Sequence, residues 1–280
     1  MIRSTGAQYT IGEFAAITGV STDTLRLYEK QGIITPTKNS NNNYRYYTDL
    51  DARNLLMSRW YRSMDIPLYH VSTLINGGTS NQVIDRISES KLLLEEQIRN
   101  YTMMLAKMNE IHEELQNIES RVHQCQLKQI PGRYRIKQTD RNYLLREQDL
   151  RDPVNEWMDL LPYTFFSFRI ENGVKMTDDN PLKYSWGICL TEEDAIKLQV
   201  EMPDEVEYFP PAQCLSSVIY TPQQAPFSMN SFAFMLDEIA SRGLQITGDI
   251  TGKILLNEHV QMNSSSYLEV NIPVQILLQN

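Results

Sequence analysis

The stretch YTIGEFAAITGVSTDTLRLYEKQGIITP, residues 9–36, decides the N-terminal fold. Thr10 stands three residues before Glu13, the spacing of a capping box in which each side chain satisfies a backbone N–H at the helix start. Ile11, Phe14, Ala15 and Ile17 give that helix an apolar stripe. In TGVS, Gly19 permits a left-handed turn, Val20 packs inward and Ser21 caps a second helix. On that second helix Leu25 faces the core, while Thr22, Arg26 and Tyr28 face outward beside Ser21. Two short helices joined by a glycine-containing turn predict a helix-turn-helix. Its second helix would enter a major groove, where Arg26 supplies a guanidinium to base edges or phosphate.

Working outward, KNSNNNYRYYTDLD at residues 38–51 reads as a polar loop closing a short hairpin, or wing. Arg45 between tyrosines can hold phosphate oxygens while Tyr46 packs on sugar. LDARNLLMSRWYRSM, residues 50–64, predicts a helix from which Arg59 and Arg62 reach backbone phosphate. The charge distribution permits this. Residues 1–78 hold 8 Lys+Arg against 6 Asp+Glu, which leaves 18 against 29 in the remainder, so a mildly basic head precedes an acidic body.

Residues 80–123 contain no Pro and no Gly. Ile87, Leu94, Ile98, Tyr101, Leu105, Met108, Leu115 and Val122 keep an alternating three–four spacing, the seam of a coiled coil, broken at Lys91, His112 and Glu119. Met104, Ile111 and Ile118 widen the stripe, so the helix touches more than a partner helix. The expected organisation is a winged helix-turn-helix head at 1–78, a coiled-coil dimerisation helix at 79–124 and an α+β body at 125–280.

The body reads as two copies of a strand-helix-hairpin unit, with the helices on one sheet face and the other face free. RYRIKQT, DPVNEWMDLL, YTFFSFRIE and KYSWGICLT form the first copy, with a turn through NGVKMTDDNP. AQCLSSVIYT, SMNSFAFMLDEIASRG, QITGDITGKILLNE and SYLEVNIPVQI form the second. In the last strand Leu268, Val270 and Ile272 alternate with Tyr267, Glu269 and Asn271, so one face packs under helices and the other presents a carboxylate. Phe166 and Phe168, and Tyr184 and Trp186, alternate along their strands, and with Tyr220 and Tyr267 they are pocket candidates, since a ring face attracts a cation. No apolar run reaches a membrane span, and MIRSTGAQYT lacks the apolar core of a secretory signal. Three scattered cysteines fit a reducing, cytoplasmic setting; no cofactor or metal is expected.

The head and helix resemble the MerR family of bacterial transcription regulators, carried by IGEFAAITGVSTDTLRLYEKQGII, YRYYTDLDARNLLMSRWYRSMDIPLYHVSTLI and the long helix, over residues 9–123. The resemblance implies a homodimer, paired through its long helices, on double-stranded promoter DNA. It would activate RNA polymerase by distorting an over-long promoter spacer. It places Arg26 and Tyr28 on the recognition helix, Arg45 and Tyr46 on the wing, and Arg59 and Arg62 on a phosphate-contacting helix. Two residues depart from the family pattern: Leu27, where an aromatic is frequent, and Asp65, where glycine is common. The body is more loosely similar to the multidrug-binding, BmrR-like branch, whose effector domain has a gyrase-inhibitor-like fold. That likeness implies a lipophilic, often cationic small-molecule effector held by aromatic rings and Glu269. Two alternatives stand beside it: hydrolase-like activity in the body, for which no Gly-x-Ser-x-Gly elbow is present, and metal sensing through Cys125.

Overall fold

The computed structural model describes residues 7–39, 43–141, 143–145, 151–172, 183–203, 205–222, 229–260 and 263–276. The chain forms two compact units, Met1–Thr102 and Met103–Asn280.

The first unit opens with β1 (Tyr9–Thr10), α1 (Ile11–Thr18) and α2 (Thr22–Lys30). The capping box is present, Glu13 accepting from the Thr10 N–H at 2.8 Å. Gly19 closes α1 at φ +68°, a left-handed conformation that favours glycine. Ser21 caps α2 by accepting from the Thr24 N–H at 3.1 Å. β2 (Thr37–Lys38) and β3 (Arg45–Tyr47) complete a three-stranded wing in the order β1-β3-β2. α3 (Asp49–Arg62) and α4 (Leu68–Ile75) follow. Phe14, Leu25, Tyr28, Tyr47, Leu55 and Tyr61 are among the side chains of a single core in this unit. Asp65, between α3 and α4, adopts φ +59°, so the left-handed bend is kept without the usual glycine.

α5 (Ser80–Gln116) is 37 residues, about 55 Å at 1.5 Å per residue. Val83 and Ile87 pack on the head core, whereas Leu94, Ile98, Tyr101, Leu105 and Met108 are exposed. The helix expected to reach residue 123 ends earlier. Ile118 is buried, and Leu115 and Val122 pack beside it against the second unit's sheet. The C-terminal part of the seam is thus spent within the chain. Ile111 and Ile118, which widen the stripe, belong to this inward-facing part.

After a 3-10 turn at Glu119–Arg121, the second unit supplies β4 (Gln126–Ile130), β5 (Arg133–Lys137), β6 (Thr139–Asp140), β7 (Tyr143–Leu144), α6 (Arg151–Asp159), β8 (Phe165–Ile170) and β9 (Tyr184–Thr191). The remaining elements are α7 (Glu192–Leu198), β10 (Glu207–Phe209), β11 (Ala212–Pro222), α8 (Ala233–Ser241), β12 (Leu244–Ile246), β13 (Ile250–Val260) and β14 (Asn263–Ile276). The main sheet runs β10-β5-β9-β8-β13-β14-β11-β4, with β12 on β14. Beyond Asn172, the turn expected through residues 172–181 lies outside the described residues. α8 packs Phe232, Met235 and Ile239 onto Phe168, Leu215, Leu268, Val270 and Ile272. α6 packs Trp157 onto Ile136, Ile188 and Leu190. Both helices therefore cover one sheet face.

The other face is not free. β4 and β5 are joined by Pro131 and Gly132 alone yet lie near opposite ends of the strand order, so the sheet curls until its edges approach. The C-terminal turns of α5 and residues 161–165 lie over the resulting concavity. Gly252 on β13 sits where a Cβ would strike the Glu269 carbonyl and the ring of Phe168, its register partner on β8. No helix among the described residues is long and apolar enough to cross a membrane.

Candidate functional sites

The head presents one outward surface. On α2, Ser21 and Arg26 are exposed and Thr22 is half-buried. Arg26 makes one weak surface pair, Nη1 to Asp23 at 3.1 Å. Tyr28 departs from expectation. It is buried with Leu25, because residues 25 and 28 lie three apart and share the core-facing side of the helix. Leu27 is exposed instead. Arg45 on the wing donates from Nε to Glu29 of α2 at 2.8 Å, and this partner raises its pKa. The wing and the second helix are thereby locked together. Tyr46 is half-buried beside it, and Tyr44, not singled out from the sequence, is exposed. Arg59 donates to the Thr18 carbonyl at 3.3 Å and Arg62 to that of Ile66 at 2.9 Å. Both remain exposed, so each anchors the head while presenting charge to solvent.

The second site is a cavity of about 460 Å³ in the concave sheet face, the size of a small-molecule pocket. Ile111 and Leu115 of α5, Leu161 to Phe165, Ile130, and Ile254 and Leu255 provide its apolar lining. Glu269 lies in it, 4% exposed. Its carboxylate is not alone. Arg121 Nη2 and Lys128 Nζ each lie 3.1 Å from Oε2, and Asn271 donates to Oε1 at 3.2 Å. Burial by itself would raise the Glu269 pKa, but Lys253, Lys128 and the Asn271 amide reverse this and hold it below the ordinary value. The carboxylate that the last strand presents is therefore ion-paired within the chain.

The six rings named with Glu269 do not line the cavity. Phe168 is fully buried under α8, and Tyr184 and Trp186 pack against the same core. Phe166 shares their face and is exposed. On β8 and β9 the aromatic phase is the apolar phase, and it is drawn under the helices. The alternate residues take the opposite face, where Phe165 and Thr191 line the cavity, and a one-residue change of phase exchanges faces. Tyr220 and Tyr267 do share the Glu269 face, their rings 4.7 Å apart. Tyr267, however, is buried against Ile118 and Val218, and Tyr220 is exposed beside it, both outside the cavity. Phe165, Tyr163, Arg133, Lys128 and Lys253 are among the lining residues that the sequence reading missed.

Among the described residues no three His, Cys, Asp or Glu side chains gather at metal-binding distance. Cys125 packs beside the α8 core, and burial raises its thiol pKa, which disfavours the thiolate that a metal requires.

Comparison with known proteins bears on the head. The family model described as MerR family regulatory protein matches residues 10–47. The multidrug-efflux transporter 2 regulator of Bacillus subtilis is 26% identical over 90 residues, 32% of this chain and 33% of that protein. The HTH-type transcriptional regulator ZntR homolog of Haemophilus influenzae is 35% identical over 66 residues, 24% of this chain and 49% of that protein. The chain thus spans a third to a half of these relatives' lengths. Among solved structures, the EcmrR–DNA complex covers 96% of this chain and 100% of its own at 18% identity, with a TM-score of 0.36.

Proposed function

We propose that this chain, whose residues 10–47 match the MerR family model, is a promoter-binding regulator of transcription that works as a ligand-responsive homodimeric activator in the cytoplasm. The observation that carries the reading is α2. Leu25 and Tyr28 fix it to the core, which leaves Ser21, Thr22 and Arg26 on its outer side. The wing, held by Arg45 and Glu29, flanks it with Tyr46. Arg59 and Arg62 add phosphate contacts.

The exposed stripe from Leu94 to Met108 supports pairing with a second copy, since an apolar seam of that length is stable in water only when covered. The two heads then bind a two-fold symmetric site and distort the promoter spacer for RNA polymerase. The second unit serves as the effector-binding domain, its two strand-helix-hairpin segments (β5-α6-β8-β9 and β11-α8-β13-β14) forming one curled sheet. A small lipophilic molecule enters the cavity. It shifts the regulator only by its difference in affinity between two states, and α5, which lines the cavity with its last turns, carries the shift. A lipophilic cation, the ligand type implied by the family resemblance, would have to displace Lys128 or Arg121 from Glu269.

The test is transcription in vitro from a promoter built around a duplex that the protein selects from a random pool. Output that rises with a cavity-binding compound supports the reading. Output unchanged by every compound that binds would reduce the protein to a constitutive DNA binder.

A further inference from the structure

The charges around the cavity are uneven. Lys107 pairs with Asp194 at 2.7 Å and with Glu110 at 3.2 Å. Lys253 pairs with Glu114 at 2.7 Å. Arg121 and Lys128 share Glu269. Every carboxylate in this set is therefore engaged by a cation. Arg133, which also lines the cavity, makes no ion pair among the described residues; the Glu269 charge acts on it from beyond ion-pair distance. It donates from Nη2 to the Thr251 hydroxyl, and its guanidinium lies 5.6 Å from the centre of the Phe209 ring. These contacts orient the group without neutralising it. Lys128, Ile130, Pro131 and Arg133 belong to one segment, so two cations and an apolar step face the cavity together. A guanidinium drawn out of water without an ion-pair partner is costly, and burial here pushes its pKa down although the Glu269 charge opposes this.

Resting on the reading of this cavity as the effector site, we propose that its ligand is an organic anion, an aromatic or branched carboxylate. Its acid group meets Arg133 and Lys128, and its hydrocarbon part lies between Phe165, Ile111 and Leu115. The guanidinium's planar fork suits a carboxylate, and the cavity volume suits one ring system with its acid group. Glu269 holds Lys128 in place, its Oε2 3.1 Å from Nζ.

Calorimetry on the full chain at pH 7 tests this with three probes of one outline: 2-naphthoate, 2-naphthamide and a naphthylmethyl trimethylammonium ion. The acid should bind on the order of ten-fold tighter than the amide, the amount expected of one charge-assisted contact, and tighter still than the cation. Arg133→Gln should remove that preference, bringing acid and amide to similar affinities. The comparison on the unsubstituted protein needs no variant, so misfolding of Arg133→Gln cannot obscure it. Equal affinity for acid and amide, or preference for the cation, would overturn the anion assignment while keeping the cavity as the effector site. Failure of all three to bind would overturn both.

Discussion

Arg121 lies 3.1 Å from the Glu269 carboxylate through Nη2 and donates from Nη1 to the Glu114 carbonyl at 3.2 Å. One guanidinium therefore joins the last turns of α5 to a carboxylate in the middle of the sheet. The Lys253–Glu114 pair, 2.7 Å, makes a second link between α5 and this part of the sheet.

This relationship predicts a pH-dependent increment of stability. The folded-state pKa of Glu269 lies below its ordinary value of 4.5, so its contribution is present above that value and is lost as pH falls through the folded pKa. Glu269→Gln should cost roughly 1–3 kcal/mol at pH 7, reduced from the fully buried case because Arg121 and Lys128 are partly exposed. Urea titrations of both proteins at pH 7 and again well below 4.5 should show the gap narrowing with acidity. A gap that widens would mean the carboxylate is destabilising in the fold.

The phase of β8 supplies a second prediction. Phe168 is fully buried under α8, so Phe168→Ala should cost about 3–5 kcal/mol of stability. Phe165 lines the cavity from the opposite face, and Phe165→Ala should cost far less stability while weakening any cavity ligand. Thermal unfolding with and without 2-naphthoate separates the two effects. The reverse ranking would restore the aromatic phase to the binding face.

For the head, Arg26→Ala should weaken specific duplex binding by roughly 1–3 kcal/mol if the guanidinium meets a base edge, with stability nearly unchanged because Arg26 is solvent-facing. Gel-shift titration at moderate salt measures the first and thermal unfolding the second. Unchanged affinity would remove Arg26 from the interface.

Asp65 holds φ +59° between α3 and α4. Asp65→Gly should stabilise the protein by about 1 kcal/mol, the strain of a non-glycine residue in that region. Loss of stability in denaturant titration would show instead that its carboxylate is structurally required.

The head was legible because its signals are local. A capping box, a left-handed glycine and a second cap each act within four residues, and each stands where the sequence places it. Tyr28 is expected to face outward, but its place three residues after Leu25 puts it on the core side of the helix. In the body, strands were legible from alternation, but alternation leaves open which phase meets the helices. Glu269 lies on the sheet face away from α8, as the polar phase of its strand implies. The same rule applied to Ser167 and Arg169 would have put Phe168 in the core. The curl of the sheet and the cover supplied by α5 depend on β4 and β5 diverging after Gly132, a long-range event with no local signature.

Reading of a symmetric DNA site requires a dimer. Leu94→Asp combined with Leu105→Asp, at two exposed seam positions, should give a monomer with a folded head, judged by sedimentation and circular dichroism. A monomeric unsubstituted protein at micromolar concentration would contradict the seam.

The most direct measurement is selection from a pool of random duplexes by the full chain, followed by sequencing of the retained DNA. The predicted result is enrichment of an inverted repeat, bound by the unsubstituted protein and lost with both Arg26→Ala and the seam variant. Recovery of no duplex above the starting pool, or of an unrepeated site bound equally well by the monomeric variant, would contradict DNA reading by a dimer.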